Sequence, residues 1–222
     1  MRILITAGPT REPIDDVRYL SNGSSGRMGY ALAQAAQRRG HTVVLVSGPV
    51  ELPAPSGVEL VRVVTTDEMY HACQQRFPDC DGLIAAAAVC DYRPRQRIAG
   101  KLKKTGRPLT LELVETIDVL ASLAANKGHR WVVGFAVEPD ESLDAAHAKL
   151  LAKNCDWIVV NAPSAIGAAD NRISVIDRSA QVVLTAQGPK AEIAERLMEW
   201  IERSFGSPTD RAGPDEGECS SS

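Results

Sequence analysis

Two stretches of this sequence combine residue types that could do chemistry. The first, SNGSSGRMG at 21–29, joins an amide (Asn22), two adjacent hydroxyls (Ser24, Ser25) and flexible glycines (Gly23, Gly26, Gly29) just ahead of an Ala-rich helical pattern. Free backbone N–H groups at a helix N-terminus favour a phosphate or carboxylate, although plain capping by Ser24 or Ser25 is the simpler role. The second, DYRPRQRIAGKLKKTGR at 91–107, holds seven cations between Tyr92 and Arg107 (Arg93, Arg95, Arg97, Lys101, Lys103, Lys104, Arg107) and no acid. Such a run is out of balance in a chain of net charge −3. Pro94 and Gly100 oppose regular structure, so a mobile loop is expected, able to close over a polyphosphate and neutralise developing charge. Asp91, at its hinge, suits a ribose, a base or a magnesium shell.

Other chemistry is thinly supported. The five cysteines (Cys73, Cys80, Cys90, Cys155, Cys219) form no C-x-x-C pair, and the four histidines are dispersed, so neither a disulfide framework nor a zinc site is indicated. Buried small thiols are the expectation. Lys149 and Lys153 share one face of a helical pattern at i, i+4, which alone means a surface pair. No run of eighteen apolar residues exists and MRILIT leads directly into a strand, which fits a cytoplasmic protein without membrane contact. The slightly negative net charge gives no reason to expect nucleic acid as a partner.

The elements that must position these residues follow from periodicity. Short, nearly continuous apolar runs at 2–6, 42–46, 58–64, 82–89, 130–137 and 156–161 predict strands covered on both faces. Helical spacing at Met28 to Gln37, Asp67 to Arg76, Asp118 to Asn126 and Ser142 to Lys153 alternates with them. The result is an α/β, Rossmann-like, doubly wound and mostly parallel sheet. RISVIDR and AQVVLTA flank a Ser-Ala turn and predict a C-terminal antiparallel hairpin, followed by a helix from Lys190 to Arg203. Residues 1–205 therefore form one domain, and the Gly/Pro/Ser-rich stretch 206–222 is expected to be a disordered tail. In this fold class ligands bind outside the C-terminal strand ends, which points to the loops at 7–25, 47–57, 89–108 and 136–141.

A nicotinamide-dependent reductase is the obvious alternative, and the residues disfavour it. Gly8 is followed by Pro9, Thr10 and Arg11 where G-x-G-x-x-G would be required, and the second strand ends in Ser47-Gly48 with no carboxylate for a ribose. None of the four tyrosines has a lysine four residues on, and no P-loop motif occurs. The residues alone thus reach a nucleoside triphosphate site with a second anion, and no reaction.

ITAGPTREPIDDVRYLSNGSSGRMG (5–29), AAAVCDYRP (86–94), KLKK (101–104), VGFAVE (133–138) and the stretch from Lys149 through Lys153 and Asp156 to IVVNAPS (158–164) resemble, in order and spacing, the bacterial phosphopantothenoylcysteine synthetases. The resemblance covers about the first 180 residues and implies a ligase of 4′-phosphopantothenate and L-cysteine. It implies an acyl-cytidylate formed from CTP with release of pyrophosphate, with ATP as the other nucleotide to weigh. Carried over by position, Asn22 acts on the acyl-cytidylate, by donating from its amide to a carbonyl oxygen as charge develops, and Lys101 serves intermediate formation. Ala85, Ala86, Ala87, Asp91, Lys101, Ile117, Asp118, Val119, Leu120, Phe135, Lys149 and Lys153 contact the nucleotide. Gly8, Thr10, Arg11, Ser24, Ser25 and Gly26 belong to the phosphate and acyl-substrate region, and the charged loop from Gly8 to Asn22 is expected to serve that substrate and a homodimer contact. Mg²⁺ accompanies CTP, held by phosphate oxygens with no protein metal ligands. The chain departs from the family at Thr116-Ile117-Asp118, at Cys90 and at a shortened loop, 167–171. Because Met1 opens the synthetase stretch directly, no FMN and a decarboxylase on a separate chain are expected.

Overall fold

In a computed structural model the described residues are 1–138, 143–161 and 170–205. The expected tail at 206–222, the end of the 136–141 loop and most of the 167–171 loop lie outside them. Twelve strands occur among the described residues: β1 (Arg2–Ala7), β2 (Arg11–Pro13), β3 (Tyr19–Ser21), β4 (Thr42–Ser47), β5 (Glu59–Arg62), β6 (Gly82–Ala85), β7 (Tyr92–Pro94), β8 (Leu113–Glu115), β9 (Trp131–Val137), β10 (Trp157–Asn161), β11 (Asp170–Asp177) and β12 (Val182–Pro189). The helices are α1 (Arg27–Arg38), α2 (Thr66–Arg76), α3 (Val119–Ala124), α4 (Leu143–Ala152) and α5 (Lys190–Phe205).

Eight strands make one sheet in the order β12-β11-β10-β9-β6-β1-β4-β5. The pairs from β10 to β5 are parallel, and β11 and β12 run antiparallel as a hairpin. The winding reverses between β1 and β6, because the chain leaves β1 toward β4 and β5 but leaves β6 toward β9 and β10. That reversal opens a crevice at the C-terminal strand ends.

Alternation along each strand divides the core into two layers. Ile3, Ile5, Val43, Leu45 and Val133 face α1 and α5, where they meet Leu32, Ala33, Ile193 and Leu197. Leu4, Val44, Val46, Leu83 and Val132 face the other side, with Met69, Leu123 and Leu150. Each fully buried Leu, Ile or Val contributes about 1.5–3 kcal/mol relative to exposure, which explains why strands apolar on both faces carry the sheet. At the N-terminal edge, Trp131 stacks on Phe205 at 4.8 Å, and Trp157 lies edge-on to Trp200 at 4.9 Å.

Two features were not predicted. Strand β6 ends at Ala85, and the expected continuation to Val89 becomes a loop that keeps a single bridge, Pro9 to Ala88. Two small antiparallel sheets, β2–β3 and β7–β8, form where no strand was expected. Their strands are three residues each, too short for periodicity to register.

Helix α1 lies unusually close to β1. A Cβ on Gly29 would come within 2.5 Å of Ala7 Cβ and 3.0 Å of the Thr6 carbonyl oxygen. Gly29→Val is therefore expected to push the helix off the strand and lower stability by about 1–3 kcal/mol, read as a reduced urea midpoint; an unchanged midpoint would show that the contact is not tight.

Candidate active site

The crevice contains a cavity of about 460 Å³, within the range that holds small-molecule ligands. Its floor is the end of β6 and the loop after it. Thr6 Oγ1 accepts a bond from the Ala87 N–H at 3.2 Å, and the Ala88 N–H donates to the Gly8 carbonyl at 2.9 Å. The N-terminus of α1 forms one wall. Its cap residue, Gly26, has φ of +73° and supplies no side-chain bond to the helix. Ser24 accepts from the Gly26 N–H at 3.3 Å, tightening the loop rather than capping the helix. The alternative role of a hydroxyl cap is thus not taken, and no acid occupies the first turn, so the positive end of the helix dipole faces the cavity.

Of the residues expected at the nucleotide, Ala85, Ala86, Ala87, Asp91, Ile117, Asp118, Val119, Leu120, Phe135 and Lys153 line this cavity, joined by Asn22, Ser24, Ser25 and Gly26. Asp118 caps α3 by accepting from the Ala121 N–H at 2.9 Å and pairs with Lys153 at 3.0 Å. Lys149 is not on the wall: it pairs at 2.6 Å with Glu138, a nearly fully buried carboxylate. The two helix-spaced lysines therefore have different partners, and only Lys153 faces the cavity.

The first loop differs from expectation in three places. Thr10 is fully buried, its Oγ1 accepting from the Cys90 N–H at 2.9 Å and lying 3.1 Å from Thr66 Oγ1, so it is spent on structure rather than substrate. Arg11 lies over the Tyr19 ring at 4.5 Å, outside the cavity. Gly8, also off the wall, has φ of +72° and backs onto Gly26. The acids of this loop are consumed internally as well. Glu12 accepts from the Thr66 N–H at 2.8 Å, at the start of α2, while Asp15 and Asp16 bind the backbone of the basic segment at Leu102 and Gly100. The charge first read as a mark of a second substrate is, for these acids, internal scaffolding.

Asn22 is held in an informative way. Its Nδ2 donates to the carbonyls of Ala88 and Val89, both at 3.0 Å. Two carbonyl partners require the amide nitrogen there, so the orientation is fixed by chemistry. Donation to a substrate carbonyl would have to break one of those bonds, and the acceptor Oδ1 is the atom without a bonded partner among the described residues.

Lys101 is exposed and off the cavity wall, between the two anchored residues Gly100 and Leu102. The four described cysteines are buried thiols: burial pushes Cys73 up to about 12 and Cys155 up to about 11, and raises Cys80 and Cys90. Cys219 lies outside the described residues. No group of three or more His, Cys, Asp or Glu side chains could hold a metal among the described residues. Sequence reasoning missed Thr6, Asn161, Asn171 and Lys190, which also line the cavity. Asn161 carried a signal, as a polar residue ending an apolar strand; Lys190 carried none. Burial lowers the Lys190 pKa, and the nearby positive charge of Arg27 adds to that.

A family model described as DNA/pantothenate metabolism flavoprotein C-terminal domain matches residues 1–205. The Coenzyme A biosynthesis bifunctional protein CoaBC of Escherichia coli (strain K12) is 48% identical over 165 residues, covering 72% of this chain and 41% of that protein. Its counterpart in Vibrio parahaemolyticus serotype O3:K6 is 42% identical over 207 residues, covering 89% of this chain and 52% of that protein. The chain spans about half the length of the curated relatives it matches. The crystal structure of the C-terminal domain of Coenzyme A biosynthesis bifunctional protein CoaBC is similar with a TM-score of 0.77 at 36% identity, covering 92% of this chain and 95% of that one.

The Arg18 guanidinium beside Asp15 holds that carboxyl well below the usual carboxylate range, with backbone donors at Leu102, Val17 and Arg18 adding to it against an opposing effect of burial. A depressed folded-state value means that the stabilising contribution is present above about pH 3.9, the unstructured value, and is lost only as pH falls through the lower folded value. A carbon-detected NMR titration of the Asp15 carboxyl should have its midpoint well below 3.9; a midpoint at or above that value would contradict the assigned contacts.

Proposed function

This chain belongs to the DNA/pantothenate metabolism flavoprotein C-terminal domain family, and on that premise we propose that it is a phosphopantothenate–cysteine ligase of coenzyme A biosynthesis. It joins 4′-phosphopantothenate to L-cysteine through an acyl-cytidylate made from CTP. The observation that carries this reading is the convergence of separate motif stretches, 22–29, 85–91, 117–120, Phe135 and Lys153, on one cavity. Similarity to proteins named for coenzyme A biosynthesis supports it further.

The chemistry suits such a cavity. A carboxylate is a poor acyl donor. Its oxygen attacks the α-phosphorus of CTP, the bond to the β-phosphate breaks, and pyrophosphate leaves. The cysteine amine then attacks the activated acyl carbon, the carbon–oxygen bond to the cytidylate breaks, CMP leaves, and the amine proton passes to water. The α1 N-terminus and the 23–26 loop supply backbone donors for phosphate oxygens. Lys153 and Lys101 supply positive charge as pyrophosphate separates, and Phe135 and the alanine floor pack against the nucleoside. Asn22 stands beside the alanine floor, and its Oδ1 is suited to accept a hydrogen from the incoming amine. Mg²⁺ fits as a companion of the triphosphate, since among the described residues the cavity offers two separate carboxylates, Asp91 and Asp118, and no cage; it would screen phosphate charge. Ligation moves no electrons, so FMN has no part in it.

A homodimer completes the reading. Val17, Tyr19, Tyr92 and Leu113 are exposed apolar side chains on or beside the abutting small sheets β2–β3 and β7–β8, a patch of the kind that marks protein contacts. None of the helices among the described residues is long and apolar enough to cross a membrane, and a cytoplasmic place for the reaction is part of the proposal.

Protein mixed with Mg²⁺, 4′-phosphopantothenate, cysteine and either CTP or ATP should release pyrophosphate only when phosphopantothenate is present, with CTP preferred. Release with neither nucleotide sinks the ligase reading. Lys101→Gln should slow pyrophosphate release by on the order of 10²-fold. Asn22→Asp sets a carboxylate oxygen against the Ala88 and Val89 carbonyls; it should retain a pyrophosphate burst while CMP release slows by on the order of 10²-fold. Normal CMP release would remove Asn22 from the second step.

A further inference from the structure

The loop bearing Lys101 is gripped from outside the cavity, and the grip comes from the β2–β3 hairpin. Asp15 Oδ1 accepts from the Val17 and Arg18 N–H groups at 2.8 and 2.7 Å. Its Oδ2 accepts from the Leu102 N–H at 3.0 Å and from the Arg18 side chain, whose Nε lies at 3.0 Å. Arg18 in turn donates from Nη2 to the Leu102 carbonyl at 2.7 Å. Asp16 holds the other side of the lysine: Oδ2 accepts from the Gly100 N–H at 2.9 Å, Oδ1 accepts from Arg97 at 2.8 Å, and the Asp16 N–H donates to the Gly100 carbonyl at 3.1 Å. The Ile98 N–H adds a bond to the Ile14 carbonyl at 2.9 Å. The contacts that reach the basic loop all fall within residues 97–102, and the backbone on both sides of Lys101 is fixed while its own side chain stays exposed.

We propose that Asp15 and Asp16 are positioning residues that hold the Lys101 loop for the nucleotide step, acting through the backbone at Gly100 and Leu102. This inference rests on the ligase reading, with Lys101 serving the triphosphate. An exposed lysine carries four rotatable carbons and loses considerable freedom when it meets a phosphate. Fixing its backbone in advance removes part of that cost, which is the advantage of a preorganised charge. Asp15 suits the role because its carboxylate is fully enclosed on the side-chain level while Asp16 is half exposed. The first acts as a rigid post and the second as a lighter tie. Lys103 and Lys104 lie beyond the last anchor, which makes Lys101 the lysine of this run with a defined place.

Asp15→Asn tests the proposal. Both oxygens already accept from two or more donors, so the new NH₂ must oppose donors whichever way the amide turns. Hydrogen exchange of the free enzyme should show protection lost at 98–104. Single-turnover pyrophosphate release should fall by on the order of 10²-fold, with a raised CTP requirement, while CMP release from intermediate already formed keeps its rate. Asp16→Ala, at an exposed position that does not threaten folding, should show a smaller loss in the same direction. Adding Lys101→Gln to Asp15→Asn should cost little more, because both remove the same contribution. A normal pyrophosphate rate despite lost protection, or fully additive losses in the double variant, would overturn the positioning role. Retained protection in Asp15→Asn would overturn the clasp whatever the enzyme does, whereas wild-type protein releasing no pyrophosphate would overturn the ligase reading itself.

Discussion

The β1 and β6 side of the cavity depends on one constraint: the loops after β1 and β6 remain hydrogen-bonded to each other beyond the ends of their strands. Ala88 N–H meets the Gly8 carbonyl, Thr10 N–H meets the Ala88 carbonyl, and Thr10 Oγ1 receives the Cys90 N–H. Thr66 joins through its hydroxyl, and Glu12 binds its N–H, so the start of α2 is drawn into the same junction. Because this polar knot is buried, each member is costly to leave without a partner. It forces the chain after Cys90 to depart outward as β7, and the chain after Thr10 to depart outward as β2. The two small sheets exist because both exits leave the same knot.

Once those exits are fixed, the rest follows in order. Asn22, at the end of the first excursion, returns to the Ala88 and Val89 carbonyls, which delivers the 23–26 loop to the mouth of the crevice and Gly26 to the start of α1. The second excursion carries the basic segment past Asp15 and Asp16. A single crossing of two loops thereby sets the N-terminus of α1 at the crevice and leads the basic segment along its outside, without a glycine-rich phosphate loop of the usual kind.

What the residues disclosed, and what they did not, has a consistent physical basis. The parallel sheet was legible because each of its core strands is apolar on both faces, and the hairpin because RISVIDR and AQVVLTA alternate around a turn. The small strands β2, β3, β7 and β8 were not, since their pairing answers to the buried Thr10 junction and not to a local pattern. Asn22, Asp91, Asp118 and Lys153, singled out by motif, all line the cavity. Thr10 and Lys149 lie off its wall, because a sequence shows that a polar side chain exists, not who has already claimed it: Cys90 and Thr66 hold the one, Glu138 the other. Lys190 escaped notice because its part of the wall arrives through the last crossing of the sheet, far along the chain.

All three tryptophans, Trp131, Trp157 and Trp200, gather with Phe205 at the N-terminal edge of the sheet. Along β9, Trp131 lies four residues from the cavity-lining Phe135, roughly 13 Å at about 3.3 Å per residue. The intrinsic emission of this chain therefore belongs to the seating of its last helix. It reports first whether that helix is seated and the molecule folded, and what occupies the crevice reaches it only through the length of β9.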